Sequence, residues 1–213
     1  MKLVIGNYNY SSWSLRAWLL MQYKELEFET VRIALFAPDF TDQIKQYNPA
    51  GKVPVLIDNG HTIWDSLAIC EYINEQYLDG SCWPEDKHLR AHARSSCAEM
   101  HSGFMQLRSE VPMNCRRIID NFRVSGGVQT DIDRIITLWT EALELSSSEQ
   151  FLYGEFSIAD AFYAPVVYRF NSYGVELPPQ LEAYKQRILN LPACMEWLKL
   201  AKQETEVIEE EEV

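Results

Sequence analysis

Apolar positions along the first third of the chain fall into short alternating blocks. Lys2 to Gly6 reads as a buried strand. Ser11, Ser12 and Ser14 lead into an apolar-rich run, Leu15 to Tyr23, with the form of a helix and its cap. Phe28 to Ile33 alternates around Thr30, Val31 and Ile33 and predicts a second strand. Pro38 to Tyr47 reads as a short irregular helix. Val53 to Asp58 and His61 to Trp64 are strand runs joined by Asn59-Gly60, a dipeptide that suits a two-residue hairpin turn. Leu67, Ile69, Cys70, Ile73 and Tyr77 then recur with helical spacing over Asp65 to Tyr77.

The predicted order is β-α-β-α-β-β-α. A βα crossover sets strands parallel and an Asn-Gly turn sets them antiparallel, so a mixed four-stranded sheet of thioredoxin type over residues 1–78 is expected. Asp79 to Ser81 and Pro84 mark a linker, taken as 79–87. From His88 onward only helical patterns remain, giving an all-α unit over 88–204. In it, His88 to Phe122 reads as one long helix bent at Pro112, Gly126-Gly127 as a break, and Asp131 to Leu145 as the next helix. A turn at Tyr153-Gly154 leads to a helix from Ser157 to Tyr173, and Pro178-Pro179 and Pro192 start the last two.

Charge changes the picture chiefly by exclusion. The formal net charge of −12 repels a phosphate backbone and argues against nucleic-acid binding. Part of it is the acidic stretch 205–213, with Glu206 and Glu209 to Glu212, which reads as a solvated, frayed tail. The apolar run after Met1 is too short for a signal core, and no stretch has the length of a membrane span. The five cysteines (Cys70, Cys82, Cys97, Cys115, Cys194) are scattered, without disulfide or zinc spacing, which fits a reducing cytoplasm. No metal is implied.

Four local motifs resemble the cytosolic glutathione transferases in order. Tyr10-Ser11-Ser12-Trp13-Ser14-Leu15-Arg16 is similar to the serine-rich start of helix 1 in the zeta class. Asn48-Pro49-Ala50-Gly51-Lys52-Val53-Pro54 is similar to the family's loop before its third strand. Asp65-Ser66-Leu67-Ala68-Ile69 resembles its helix 3 start, and Ser157-Ile158-Ala159-Asp160 the capping box of its helix 6. The resemblance implies a thioredoxin-like domain followed by a helical one. It implies glutathione as co-substrate, a small electrophile as acceptor, no metal, and a cytoplasmic homodimer with no nucleic-acid or membrane partner.

Each motif has a structural reading beside the functional one. Free thiols titrate near about 8.5, and lowering that by about two units takes about 2.7 kcal/mol. A hydroxyl donating to an anion contributes about 1.5–3 kcal/mol and a helix N-terminus about 0.3–1. Serine before an apolar run is equally an ordinary N-cap. By the zeta pattern Ser11 is the thiol partner. Ser12 is the alternative or the cap, and Tyr10 and Tyr8 are further alternatives. Trp13 stands where the zeta pattern has cysteine, which argues against zeta isomerase chemistry and against thiol–disulfide exchange. The resemblance makes Val53-Pro54 cis, with the Val53 backbone pairing the tripeptide's cysteinyl unit. Lys52 then meets the glycyl carboxylate, Ser66 the γ-glutamyl carboxylate and Asp65 the γ-glutamyl amino group. Ser157 and Asp160 are assigned to folding.

For the acceptor, Met100, His101, Phe104, Met105 and Arg108 share one helical face, where an apolar stripe is as readily core as pocket. Glutathione conjugation is the leading reading. A zeta-like isomerisation of a maleyl-type diacid would need basic groups near the thiol, and Arg16 and Lys52 are the visible ones. A non-catalytic interaction module of the same fold is the third.

Overall fold

The computed structural model describes residues 1–119, 121–148 and 150–212. Strands β1 (Lys2–Ile5), β2 (Glu29–Arg32), β3 (Val55–Asp58) and β4 (His61–Trp64) form one sheet in the order β2-β1-β3-β4. β1 pairs parallel with β2 and antiparallel with β3, and β3 pairs antiparallel with β4 through positive-φ Asn59 and Gly60. The mixed sheet is the one that the crossover and hairpin arguments require. Helices α1 (Ser12–Tyr23) and α3 (Ser66–Tyr77) cover one face, while α2 (Phe40–Lys45) covers Val4, Ile33 and Val55 on the other with Ile44.

The second unit contains α4 (Lys87–Ser102), α5 (Met105–Glu110), α6 (Gly126–Ser146), α7 (Ile158–Ser172), α8 (Pro179–Leu189) and α9 (Pro192–Gln203). α7 is buried on almost every side and packs on α1, so one continuous core joins the sheet layer to the bundle. Asp160 accepts hydrogen bonds from the Ser157 amide (2.9 Å) and hydroxyl (3.0 Å), the Leu152 amide (3.1 Å) and the Tyr184 hydroxyl (3.1 Å). It closes the capping box and ties α8 to the start of α7.

Three expectations fail here for physical reasons. The predicted long helix over 88–122 ends at Ser102. A β-carbon at Gly103 would lie 2.8 Å from the Glu99 carbonyl oxygen, and Phe104 takes a left-handed conformation that restarts the chain as α5. Pro112 follows α5 and bends no helix. Gly126-Gly127 opens α6 instead of breaking a helix: Ser125 caps it, and Gly127 lets it approach Gln106 of α5.

Over residues 205–212 the acidic stretch is not frayed, and Val213 lies outside the described residues. Glu204 takes hydrogen bonds from the Tyr8 (2.8 Å) and Asn9 (2.9 Å) amides, and Arg32 pairs with Glu204 and Glu206. Ile208 is buried, and Glu212 accepts from Tyr10, Asn114 and Arg117. Arg116 donates to the Glu204 and Glu206 carbonyls and to the Tyr10 hydroxyl. The tail is a strap running from α9 across the β1–α1 loop. Glu204→Ala is expected to strand two amides and cost about 2 kcal/mol. Limited proteolysis is expected to cut the strap of the variant first; equal protection of strap and body in both proteins would show the anchor idle.

Candidate functional site

A cavity of about 790 Å³ opens between the sheet layer and the bundle, lined from α1 by Ser11, Ser12 and Trp13, from the 48–54 loop by Lys52, Val53 and Pro54, and from the start of α3 by Asp65 and Ser66. All seven residues assigned to catalysis and glutathione binding therefore share one cavity: Ser11, Ser12, Lys52, Val53, Pro54, Asp65 and Ser66. A more open hollow of about 820 Å³, between the linker and the α6–α7 loop, contains none of them.

Ser11 occupies the N-cap position of α1, and its side chain makes no capping bond. It donates instead to Ser14 Oγ at 2.7 Å, which in turn accepts from the Gly6 amide at 3.1 Å. Ser12 is the first helical residue rather than the cap, and its hydroxyl has no partner among the described residues. The Trp13 and Ser14 amides also lack an acceptor there, so the positive end of α1 is open toward the cavity. Tyr10 is a weaker alternative than the sequence implied, because its hydroxyl is committed to Glu212 and Arg116. Tyr8 is not among the lining residues.

The Val53-Pro54 bond is cis, as the resemblance implied. Asn48 fixes the preceding loop by accepting from the Ala50 amide (3.0 Å) and donating to the Lys52 carbonyl (3.4 Å). The Val53 N–H and C=O have no backbone partner among the described residues. At α3, one Asp65 oxygen caps the helix by accepting from Leu67 (2.8 Å), and the other meets His101 Nε2 at 3.1 Å. Burial lowers the His101 pKa more than Asp65 raises it. The ring is therefore neutral at pH 7 and donates its proton to Asp65. Buried Ser66 presents its amide unpaired, and its hydroxyl accepts from Arg16 at 3.5 Å.

Behind α1 lies a cluster of cations, Arg16 and Arg169 buried and Arg108 half-buried. Arg16 is fully buried, with its guanidinium 4.3 Å from the Trp13 ring centre and 4.6 Å from that of Phe162; Nε and Nη2 have no partner. Burial, then Arg108 and Arg169, pulls its pKa down to about 9. Arg108 lies 5.0 Å from the same Trp13 ring centre and closes the end of α4 by donating to the Met100 and Gly103 carbonyls. Arg169 of α7 donates to the Val111 (2.8 Å) and Pro165 (3.3 Å) carbonyls, and its pKa is lowered to about 10, first by burial. Three cations near the open end of α1 make the cavity favourable to anions.

Of the acceptor-pocket candidates on α4 and α5, Arg108 lines the cavity. Met100 is core, Phe104 is nearly so and Met105 faces solvent. His101 meets the edge of Trp13 at 5.0 Å. The reading from sequence missed two charged lining residues, Arg169 and Glu211, and four apolar ones, Leu35, Phe36, Phe40 and Trp64. A lone arginine in the otherwise apolar run of α7 was a signal for the first. Glu211 was hidden in a run of glutamates.

Family models for the glutathione S-transferase N-terminal and C-terminal domains match residues 10–76 and 103–200, in that order. A protein named probable maleylacetoacetate isomerase from Caenorhabditis elegans is 27% identical over 197 residues, covering 90% of this chain and 91% of the relative. Glutathione S-transferase Z2 of Arabidopsis thaliana is 29% identical over 201 residues, covering 90% and 88%. Among solved structures, a glutathione transferase homolog from Burkholderia gl BGR1 with bound glutathione superposes with a TM-score of 0.73 at 22% identity, over 95% of this chain and 98% of that one. That likeness shows the fold. No helix among the described residues is long and apolar enough to cross a membrane.

Proposed function

Because this chain belongs to the glutathione S-transferase family, we propose that it binds reduced glutathione as thiolate in the α1–α3 cavity and transfers it to small electrophiles, with serine as the thiol partner. One observation carries the reading: unspent hydrogen-bonding groups on three separate elements face a single cavity. These are the Trp13 amide, the Val53 main chain and the Ser66 amide. Isolated, each is an ordinary loop or helix end. Together they match a short peptide with a carboxylate at each end and a thiol between.

The chain's own groups divide the work. Ser66 and the α3 N-terminus hold the γ-glutamyl carboxylate, with Arg16 behind the Ser66 hydroxyl. The Asp65 oxygen that faces His101 receives the amino group. Val53 pairs with the cysteinyl backbone as an added strand would, and Lys52 meets the glycyl carboxylate. Ser11 donates to the sulfur once Ser14 turns its own proton toward Ser11. The Gly6 amide, Ser14 and Ser11 then form a chain of donors ending on the thiolate.

Calorimetric titration with reduced glutathione and its S-methyl analogue tests the binding. Asp65→Ala is expected to weaken both about tenfold, which is about 1.4 kcal/mol. Absence of binding by the wild-type protein would overturn the reading and favour an interaction module.

A second reading has its own support. Arg108 and Arg169 in the cavity suit an acceptor that carries a carboxylate, and relatives are named maleylacetoacetate isomerase. Glutathione-dependent cis–trans isomerisation of a maleyl-type diacid is the activity that the two cations, taken without their neighbour Glu211, would serve. Product analysis with such a diacid distinguishes it from conjugation.

A further inference from the structure

Arg108 and Arg169 are held in the same way. Each gives two of its nitrogens to backbone carbonyls at a helix end or inside α7. Arg108 keeps Nη1 and Arg169 keeps Nη2 uncommitted among the described residues. Both line the cavity beside Trp13. Guanidinium groups fixed at their stems, with one edge left free, form a rigid receptor for a carboxylate.

Glu211 lines the same cavity from the strap. Its side chain makes no hydrogen bond or ion pair with the described residues, although Glu204, Glu206 and Glu212 on the same strap are all paired. The strap is anchored on both sides of it, by buried Ile208 and by Glu212 on Tyr10, Asn114 and Arg117. Glu211 is thus a fixed negative charge facing a cationic wall. Burial raises its pKa, and Arg169 opposes that rise.

We propose that Glu211 is a specificity-determining residue of the acceptor subsite: Arg108 and Arg169 take one carboxylate of the electrophile, and Glu211 repels a second. The acceptor class is a small electrophile bearing a single carboxylate. This rests on the transferase reading and narrows it, because it disfavours diacids.

The test uses three aryl chlorides with one leaving group: a chloronitrobenzamide, the matching benzoate and the matching benzenedicarboxylate. In each, the glutathione sulfur forms a C–S bond at the chlorine-bearing carbon. The C–Cl bond breaks, chloride leaves with the electron pair, and the thiol proton goes to solvent. Wild-type kcat/KM is expected to be highest for the benzoate. Glu211→Gln is expected to raise kcat/KM for the dicarboxylate about tenfold and to leave the benzamide within about twofold, the scale of one unit charge near a protein surface. Glu210→Gln, an exposed neighbour with the same change in net charge, is expected to leave all three unchanged. Titration with the three S-aryl glutathione conjugates reads the same charge series from binding alone, whether or not turnover is measurable. If glutathione and its conjugates bind but Glu211→Gln shifts no charged ligand, or Glu210→Gln shifts them equally, the assignment of Glu211 is overturned while the transferase reading survives. If the wild-type protein binds no glutathione, both fall.

Discussion

Ser11→Ala is expected to raise the pKa of bound glutathione by about 1.5 units and to slow conjugation about thirtyfold below that pKa. The magnitude follows from the parts. A hydroxyl donating to an anion contributes about 1.5–3 kcal/mol, and 1.5 units correspond to about 2 kcal/mol. What remains in the variant is the open end of α1 with its Trp13 and Ser14 amides, the buried Arg16 and Arg169, and the half-buried Arg108. Those groups attract the thiolate without donating directly along the Ser11 O–H axis, so thiolate formation is weakened and not abolished. Ser14→Ala removes the group that frees the Ser11 proton, and a smaller loss, about threefold, is expected because Ser11 keeps its hydroxyl. Ultraviolet absorbance of the bound thiolate against pH, measured beside kcat, reads both effects. A large shift in Ser12→Ala with none in Ser11→Ala would transfer the role to the hydroxyl that has no protein partner.

The sheet layer was legible because its determinants are local. Asn59-Gly60 specifies a hairpin within four residues, and the capping pair Ser157 and Asp160 announces α7 within four. The seven residues that share the cavity with α1 and α3 could be singled out because each lies at a loop or helix start with its own motif. Failures came where the deciding contact is distant. Met100, Phe104 and Leu107 keep helical spacing through Gly103, so periodicity runs on across a break set by packing. The strap reads as a solvated charge run because its partners, the Tyr8 and Asn9 amides, Arg32 and Arg116, lie far away in sequence. Most of the cationic end of the cavity was hidden for the same reason, Arg108 alone having been singled out from sequence. Arg108, Arg169 and Glu211 come from α5, α7 and the strap, and nothing local marks them as neighbours.

Asp160→Ala is expected to destabilise the fold by about 3 kcal/mol near pH 7, more than Glu204→Ala does. Asp160 is fully buried, and its loss leaves the Leu152 and Ser157 amides and the Tyr184 hydroxyl without their acceptor. The same change uncouples α8 from the start of α7, the helix on which α1 and hence Ser11 rest. Burial outweighs the four donors and holds the Asp160 pKa at about 6, above the usual 3.8. An acid whose native pKa is raised binds a proton more tightly folded than unfolded. Its contribution is therefore complete below about pH 4 and declines as pH rises through about 6. Denaturant unfolding of wild type and variant between pH 7 and pH 5 is expected to show the gap between them widening as pH falls. A gap that narrows would mean that the donors hold the carboxylate charged against its burial. The capping box would then resist acid least where α7 meets the sheet layer, and acid would loosen the α1–α3 cavity before it unfolded the bundle.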